Sequence, residues 1–268
     1  MSLLYFFDDH VKKYIMRGKK YCNPADTGII GSGISCIREN DVNIYFYTKN
    51  GTTIAFDAGH IGFSGLDGKF RSIDIDPLSI EHVFLTHADV DHAGGIDSGG
   101  SNIFPNAQVY MGRNEEQYLL KTHHRMVKLG VKLNNCVRID KGYKLLDDGQ
   151  ILYTGGIKIE VIATPGHTLG HLCYLIDDRI LISGDCLAVN ENGGYSFFDF
   201  FTQYPDMNKE SLHKLRERIS GRDIIMVCTG HSGVRTTERL FDHIDESAVF
   251  SRKKPFDEKG PSDFTKYE

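Results

Sequence analysis

The chain has 268 residues, of which 40% are hydrophobic and 25% are charged. These fractions are close to the averages of globular proteins and exclude fibrous and disordered classes, and the length suits one α/β domain or two small ones. The net charge of −5 gives no overall basic excess for gripping a phosphate backbone, so nonspecific binding to nucleic acid is not expected.

The N-terminus and the cysteines predict a cytoplasmic location. Residues 1–16 contain a short apolar run with no positive charge before it and acidic residues directly after it, which is not the pattern of a secretory signal. No stretch approaches the roughly 20 apolar residues of a membrane span, so no membrane association is predicted. The six cysteines have no C-x-x-C spacing, which indicates reduced thiols and not a disulfide framework.

The first predicted strands are residues 33–40 and 42–48, and the second leads through Asn50 and Gly51 into residues 52–59. Asn-Gly takes the positive φ angles of a tight turn, so these last two strands are predicted to form an antiparallel hairpin. Further strands are predicted within residues 81–87, 107–112, 156–167, 171–185 and 223–231.

Two segments have helical spacing. Residues 114–130 are predicted to form a helix capped by Asn114, with His123 and His124 on its solvated face, and residues 206–221 a second helix that ends at Gly221. No repeat or linker divides the chain, so residues 1–250 are predicted to form a single domain. Residues 251–268 are polar, contain two prolines and are predicted to be a loosely ordered tail.

Metal-binding side chains gather directly after predicted strands. One strand runs into His87-Ala-Asp89-Val-Asp91-His92, and others stop at a histidine or an aspartate. Strand ends hold side chains in a fixed cleft, and these side chains suit zinc, iron and manganese. A strand-end hydrogen bond explains any one of them, but the set predicts two metals with one shared carboxylate. The predicted ligands are His87, Asp89, Asp91, His92, His167, Asp185 and His231.

The order of these residues, with Asp57 before them, resembles the five motifs of the metallo-β-lactamase superfamily of hydrolases over residues 30–235, and TPGHTLGH is similar to its glyoxalase II and lactonase branches. The resemblance implies an α/β fold, a four-layer αββα sandwich with a dinuclear site at one sheet edge. It implies that Asp57 orients a ligand from behind. It also implies a first metal on His87, Asp89 and His167, a second metal on Asp91, His92 and His231, and a bridging Asp185.

Asp89 stands where the common pattern of the superfamily has a third histidine. Flavodiiron proteins resemble the chain in having a carboxylate there, and the nuclease-like domains of DNA-uptake channel proteins resemble it in the spacing H-x-D-x-D-H-x-G-G. An additional carboxylate makes the first site harder and more negative, which favours iron or manganese relative to zinc, the most common metal of the family. The alternative is that Asp89 points away and leaves one metal.

A dinuclear site of this kind predicts a hydrolase with a small-molecule substrate. Two metals polarise a carbonyl or phosphoryl oxygen and lower the pKa of a bound water from 15.7 toward about 7. A metal-bound hydroxide would then attack a small ester, lactone or thioester. Asp91 is predicted to exchange the proton of this water in addition to its ligand role.

An aromatic-rich stretch at residues 190–206 follows Asp185. It predicts either a pocket wall over the metals or a patch that packs against the protein's own core or against a partner subunit in a homodimer. Tyr195 is the predicted donor of a hydrogen bond to an oxyanion. The aromatic residues of this stretch are Tyr195, Phe197, Phe198, Phe200, Phe201 and Tyr204.

Three other functions stay open at the level of sequence. A phosphodiesterase or nuclease-like hydrolase is favoured by the spacing H-x-D-x-D-H-x-G-G and disfavoured by the acidic net charge. A diiron redox protein would need an electron donor, and neither a flavin-binding domain nor a rubredoxin-like C-x-x-C pair follows. A non-catalytic metal-binding protein would not need the full ligand set.

Overall fold

The computed structural model describes residues 22–62, 65–100, 102–127 and 131–248. The predicted tail at 251–268 lies outside the described residues. The fold is built on two large sheets and two small ones. Among the described residues, no helix has both the length and the apolar character needed to cross a membrane.

The first sheet has seven strands in the order β1-β2-β3-β4-β5-β6-β9. Neighbouring strands are antiparallel from β1 to β4 and parallel from β4 through β5 and β6 to β9. The strands are β1 (Gly28–Gly31), β2 (Ile34–Glu39), β3 (Val42–Lys49), β4 (Thr52–Phe56), β5 (His82–Phe84), β6 (Gln108–Gly112) and β9 (Tyr143–Leu146).

The second sheet has six strands in the order β10-β11-β12-β13-β16-β17, and only β13 and β16 pair in parallel. Its strands are β10 (Ile151–Thr154), β11 (Ile157–Ala163), β12 (Leu172–Ile176), β13 (Ile180–Gly184), β16 (Met226–Thr229) and β17 (Gly233–Arg235). The small sheets are β7 (Arg125–Val127) with β8 (Val131–Leu133), and β14 (Leu187–Asn190), β15 (Gly193–Ser196) and β18 (His243–Ser247).

The predicted hairpin between β3 and β4 is present, and the local backbone explains its register. Asn50 and Gly51 have φ angles of 52° and 78°, and Lys49 pairs with Thr52 across the turn. Positive φ at both central residues matches the twist of the strands on either side. The turn therefore fixes the position of β4, whose end carries Asp57.

Both faces of each large sheet are apolar, and each face is covered by the other sheet or by a helix. One cluster of buried residues fills the space between the two large sheets, a second lies between the first sheet and α1 (Leu66–Ser72), and a third between the second sheet and α3 (Pro205–Ile219). The order helix, sheet, sheet, helix is the predicted four-layer αββα sandwich. The predicted helix at 206–221 corresponds to α3.

The predicted helix at residues 114–130 is wrong beyond its first turns. The structure has a single 3-10 turn at Arg113–Glu115, the short helix α2 (Glu116–Leu119) and then strand β7. Lys121 adopts a φ of 58°, and the amide of Thr122 donates to the carbonyl of Gln117, which is how a left-handed residue closes a helix. His123 and His124 are half-buried and do not lie on a helix.

Candidate metal centre

The predicted ligands lie at one edge of the sandwich because the strands before them end there. In the first sheet β4 and β5 are parallel neighbours, and in the second sheet β13 and β16 are. Asp57 follows β4, His87 comes three residues after β5, Asp185 follows β13, and His231 comes two residues after β16. Parallel neighbours end at the same edge, so each sheet delivers one pair of ligand-bearing loops.

The described residues contain two adjacent groups of donor atoms that match a pair of metal positions. The first is His87, His167 and Asp185, and the second is Asp91, His92 and His231. Within each group the donor atoms lie within 4.8 Å of one another. A tetrahedral ion with bonds near 2 Å would separate its ligands by about 3.3 Å, so both groups are compact enough to close on an ion.

Asp185 lies between the two groups. Its Oδ2 atom is 3.8 Å from Nε2 of His167 and 3.1 Å from Nε2 of His231. Its Oδ1 atom is 3.4 Å from Nε2 of His92. One carboxylate thus faces histidines of both groups, which is the position that a bridging ligand requires.

Unsatisfied buried atoms support a metal at this place. Nε2 of His87 and Oδ1 of Asp185 are buried and have no hydrogen-bond partner among the described residues. Buried polar atoms are normally hydrogen-bonded, so atoms left over at the centre of a donor set indicate a missing positive partner. The residues present therefore fit a metal pair.

Hydrogen bonds behind three of the histidines select the tautomer that a metal needs. Nδ1 of His92 donates to Asp57 at 2.8 Å, Nδ1 of His231 donates to the carbonyl of Asp41 at 2.6 Å, and Nδ1 of His87 meets the hydroxyl of Thr86 at 3.0 Å. Each bond leaves Nε2 as the lone-pair atom that faces the centre. Asp57 thus lies behind the predicted ligand His92, as the resemblance implies.

The charges of the site divide between its carboxylates and imidazoles. Burial opposes the ionisation of Asp185, but His231 and His92 outweigh it and hold its pKa well below the usual range. Burial also opposes protonation of His92, yet Asp185 and Asp57 raise its pKa to about 9. Burial lowers the pKa of His87 well below its usual value. An ionised carboxylate therefore lies among the imidazoles, and a metal that binds Nε2 of His92 would displace the proton that this carboxylate otherwise holds there.

Asp89 is paired with a residue that the sequence did not predict. Nε and Nη2 of Arg125 donate to its two carboxylate oxygens, each at 2.7 Å. Oδ2 of Asp89 is also 3.6 Å from Nε2 of His87 and 3.3 Å from Nε2 of His167. Burial opposes the ionisation of Asp89, but Arg125 outweighs it and holds its pKa well below the usual range. The guanidinium of Arg125 thus offsets the negative charge of Asp89, from which iron or manganese was predicted. The identity of the metal stays a prediction.

Glu115 joins the two loops that carry His87 and His167. It accepts hydrogen bonds from the amides of Ala88 and Gly170, at 2.8 and 2.9 Å, and from the hydroxyl of Thr168. Burial raises the pKa of Glu115 to about 7, although the bonds from Thr168 and Ala88 favour its ionised form. A single buried carboxyl therefore sets the spacing between two ligand loops.

Close backbone approach at Gly230 completes the second group. A Cβ atom at this position would overlap Oδ1 of Asp185 and lie 2.9 Å from Cε1 of His92. Only glycine lets the turn before His231 pass this close to the bridging carboxylate.

A third group of donor atoms, His171, Cys173 and Cys186, is fully buried behind Asp185. Nε2 of His171 accepts from the amide of Asp185 at 3.1 Å, and Nδ1 meets the hydroxyl of Thr164 at 2.8 Å. Both ring nitrogens are occupied, so this group positions the backbone of Asp185 and does not bind a metal. Cys186 packs in the core.

Comparisons with known proteins identify the family of the chain. Residues 37–231 match the sequence profile described as "Metallo-beta-lactamase superfamily". The chain belongs to the metallo-β-lactamase superfamily. Members of this superfamily are hydrolytic metalloenzymes.

Relatives of known sequence match different lengths of the chain. It is 25% identical over 227 residues to "Beta-lactamase-like protein 2 homolog" of Caenorhabditis elegans, which covers 83% of this chain and 65% of that protein. It is 33% identical over 151 residues to "Hydroxyacylglutathione hydrolase" of Salmonella paratyphi A, which covers 56% of this chain and 47% of that protein. The chain thus spans less than two thirds of the length of these curated relatives.

Solved structures of the metallo-β-lactamase superfamily share the fold. A B3 metallo-β-lactamase with an active-site glutamic acid superposes with a TM-score of 0.58 at 16% identity, covering 81% of this chain and 85% of that one. A superfamily protein from the archaeon Sulfolobus tokodaii superposes with a TM-score of 0.54 at 18% identity, covering 84% and 85%. The superfamily fold is therefore present, as the sequence predicts.

The aromatic stretch of this superfamily member packs mainly into its own core. One buried cluster consists of Tyr195, Phe197, Phe198 and Phe201 together with Cys22, Ala188 and Ala248. The ring of Phe197 also lies against two predicted ligands, with centroids 5.1 Å from His167 and 5.7 Å from His231. Phe197 thus forms an apolar wall of the metal centre. A role of the stretch in a homodimer stays a prediction.

Two residues that sequence reasoning missed, Arg125 and Glu115, come from the segment predicted as a helix. Five consecutive polar residues, 121–125, interrupt its apolar spacing, and this interruption was the signal that the helix ends early. No sequence pattern marks a buried glutamate such as Glu115 as the link between two loops.

Proposed function

We propose that this protein is a dinuclear metal-dependent hydrolase of a small thioester, ester or lactone. The observation that carries the proposal is the shared position of Asp185 between two groups of donor atoms, with buried atoms of His87 and Asp185 left unsatisfied. The proposed ligands are the seven residues predicted from the sequence, and a cytoplasmic location stays a prediction.

The chain's own residues would prepare the site for hydrolysis. Two bound divalent ions would polarise the scissile carbonyl and lower the pKa of the attacking water. Asp57 and the carbonyl of Asp41 keep His92 and His231 in the tautomer that presents Nε2 to the centre. Oδ2 of Asp91 lies 3.4 Å from Nε2 of His231, among the donor atoms of the second group, and we propose that this carboxylate would also accept a proton from the water.

A carbonyl substrate of apolar character fits the surroundings of the centre. The ring of Phe197 faces the histidines of both groups, and apolar walls with a few polar groups are typical of small-molecule sites. The relative called "Hydroxyacylglutathione hydrolase" supports a thioester in particular. We therefore place thioesters first among the three substrate classes.

The test combines metal content with a substrate panel. Protein reconstituted with zinc should bind two ions and hydrolyse an acylglutathione thioester faster than p-nitrophenyl acetate. The variants His167→Ala and His231→Ala should each lose most of the activity, since each lacks one proposed ligand on a strand-end loop, and Asp185→Ala should lose the most metal because it serves both ions. Two tightly bound ions in the Asp185→Ala variant would refute the bridge.

A second candidate, phosphodiester hydrolysis, is favoured by the spacing H-x-D-x-D-H-x-G-G from His87 to Gly95. Bis-p-nitrophenyl phosphate belongs in the same panel for this reason. Faster turnover of this substrate than of every thioester and ester would assign the site to phosphodiesters.

A further inference from the structure

A buried cation lies beside the first group of donor atoms, where a metal ion would be repelled by it. The side chain of Arg125 is only 6% exposed, and its Nη2 atom is 3.3 Å from Nε2 of His167. A guanidinium cannot lose its proton in a protein. Its charge must therefore be offset if a divalent ion is to bind next to it.

The hydrogen bonds of Arg125 show what offsets it. A guanidinium has five N–H groups, and those of Arg125 find acceptors from three segments of the chain. The contacts are Nε to Oδ1 of Asp89, Nη1 to the carbonyl of His167 and to Oε1 of Gln203, and Nη2 to Oδ2 of Asp89, to the carbonyl of Phe201 and, at 3.3 Å, to Nε2 of His167. Asp89 is the only anion in this set, and no donor is left over for a substrate.

Asp89 itself lies at ligand distance from the first metal position. Its Oδ2 atom is 3.6 and 3.3 Å from the Nε2 atoms of His87 and His167, close to the roughly 3.3 Å between ligands of a tetrahedral ion. The same oxygen accepts from Nη2 of Arg125 at 2.7 Å. Whatever Asp89 contributes to the ion, it contributes with a guanidinium attached.

We infer that Arg125 is a positioning residue that sets the charge of the first metal site through Asp89. The pair is neutral as a whole, as a single imidazole is, so the site carries one negative charge less than its donor atoms alone would give. The inference rests on the metal binding proposed above. By this inference Arg125 lowers the affinity of the first site for its metal ion. The negative charge of Asp89 then no longer favours iron or manganese over zinc.

The central test is Arg125→Gln. This change leaves the Asp89 carboxylate uncompensated, so the first site gains a negative charge. It should bind Zn²⁺ and Mn²⁺ more tightly by at least about tenfold, which is what a unit charge about 5 Å from a divalent ion contributes even at the dielectric of water. Calorimetric titration of chelator-stripped protein with each ion measures the affinity of each binding step. Thermal unfolding with and without Zn²⁺ should show a larger stabilisation by metal in the variant than in the parent protein.

Two controls separate charge from structure. Arg125→Lys keeps the charge and should keep the parent affinity to within a few fold. Arg113→Gln removes a guanidinium that makes the same two-pronged contact, with Asp147 at 2.7 and 2.6 Å, on the exposed surface. This variant should leave both metal-binding steps unchanged.

A second set of variants avoids leaving the Asp89 carboxylate buried without its partner, as Arg125→Gln does. Asp89→His adds an imidazole but leaves Arg125 uncompensated, so it should bind the first ion more weakly than the parent protein. The double variant Asp89→His with Arg125→Gln removes the cation as well and should regain at least about tenfold in affinity, by the same charge argument.

The outcomes distinguish this inference from the proposed function. Unchanged or weaker metal binding by Arg125→Gln, or an Asp89→His variant that binds more tightly than its double variant, would overturn the role of Arg125 while leaving the hydrolase intact. A parent protein that binds no metal would overturn both.

Discussion

At the scale of single residues, Tyr195 tests whether the aromatic stretch takes part in the chemistry. Its ring stacks on that of His243 with centroids 4.7 Å apart. If Tyr195 donates a hydrogen bond to an oxyanion, Tyr195→Phe should lower kcat by roughly 10- to 1000-fold, the range for one transition-state hydrogen bond. The metal content should stay at the parent level. Steady-state kinetics on the preferred substrate measure this, and an unchanged kcat would assign Tyr195 to packing alone.

The candidate ligands could be predicted because each lies in a loop that begins at the end of a strand. An apolar run that stops at His87 or Asp185 can be recognised as a strand followed by a candidate ligand, whichever sheet the strand joins. The role of Arg125 could not be predicted in this way, because its acceptors Asp89, His167 and Phe201 lie 36 to 76 residues away in sequence. Only the assembled loops bring such partners together.

At the scale of elements, Glu115 links the loop after β5 to the loop after β11. In Glu115→Gln the amide group would face one of the donors Ala88, Thr168 or Gly170, so at least one buried donor loses its acceptor. We expect the free energy of unfolding to fall by about 1–3 kcal/mol and the affinity for the first metal to weaken. Urea denaturation and zinc titration measure the two effects.

A matched control for this prediction is Glu116→Gln. Glu116 is the next residue and accepts a hydrogen bond from the hydroxyl of Tyr143 at 2.9 Å, outside the metal centre. Equal effects of the two substitutions would show that Glu115 does not hold the ligand loops.

The short helix α2 shows where local pattern fails. Residues 116–120 have helical spacing, but the left-handed conformation of Lys121 ends the helix, and the chain turns so that Arg125 reaches Asp89. The partly buried contacts of Arg125 and of Tyr118 with Gln203 outweigh the helical preference of a polar segment. The helix α3, which only has to cover a sheet, follows its pattern to the end.

At the scale of the whole molecule, both halves of the sandwich must keep their register for the centre to form. The hairpin β3–β4 and the parallel pair β13–β16 hold Asp57 and Asp185 at the same edge. Nine of the strands, β2 to β6, β11 to β13 and β16, were predictable from sequence. Their arrangement into two sheets came only from the resemblance to the superfamily, because pairing between distant strands depends on packing of the shared core.

The outer helix is tied to the second sheet by an ion cluster whose contribution should depend on pH. Glu160 of β11 is 7% exposed and accepts from Arg218 of α3 at 2.9 Å and from Arg222 at 2.6 Å. Burial opposes its ionisation, but Arg222 and Arg218 outweigh it and keep its pKa below the usual 4.5. A carboxyl whose pKa is lowered by folding stabilises the fold above its unfolded pKa and loses this effect as pH falls through its folded pKa.

We therefore expect Glu160→Gln to lower the free energy of unfolding at pH 7 by about 1–2 kcal/mol, with the difference from the parent protein shrinking as the pH falls below 4.5. Urea denaturation of chelator-stripped protein across this range measures it without a contribution from metal release. Asp223→Asn is the control, because its pair with Arg179 is exposed and should contribute less than about 1 kcal/mol. A deficit in Glu160→Gln that is the same in acid as at neutral pH would mean that lost packing, and not the ion cluster, is its cause.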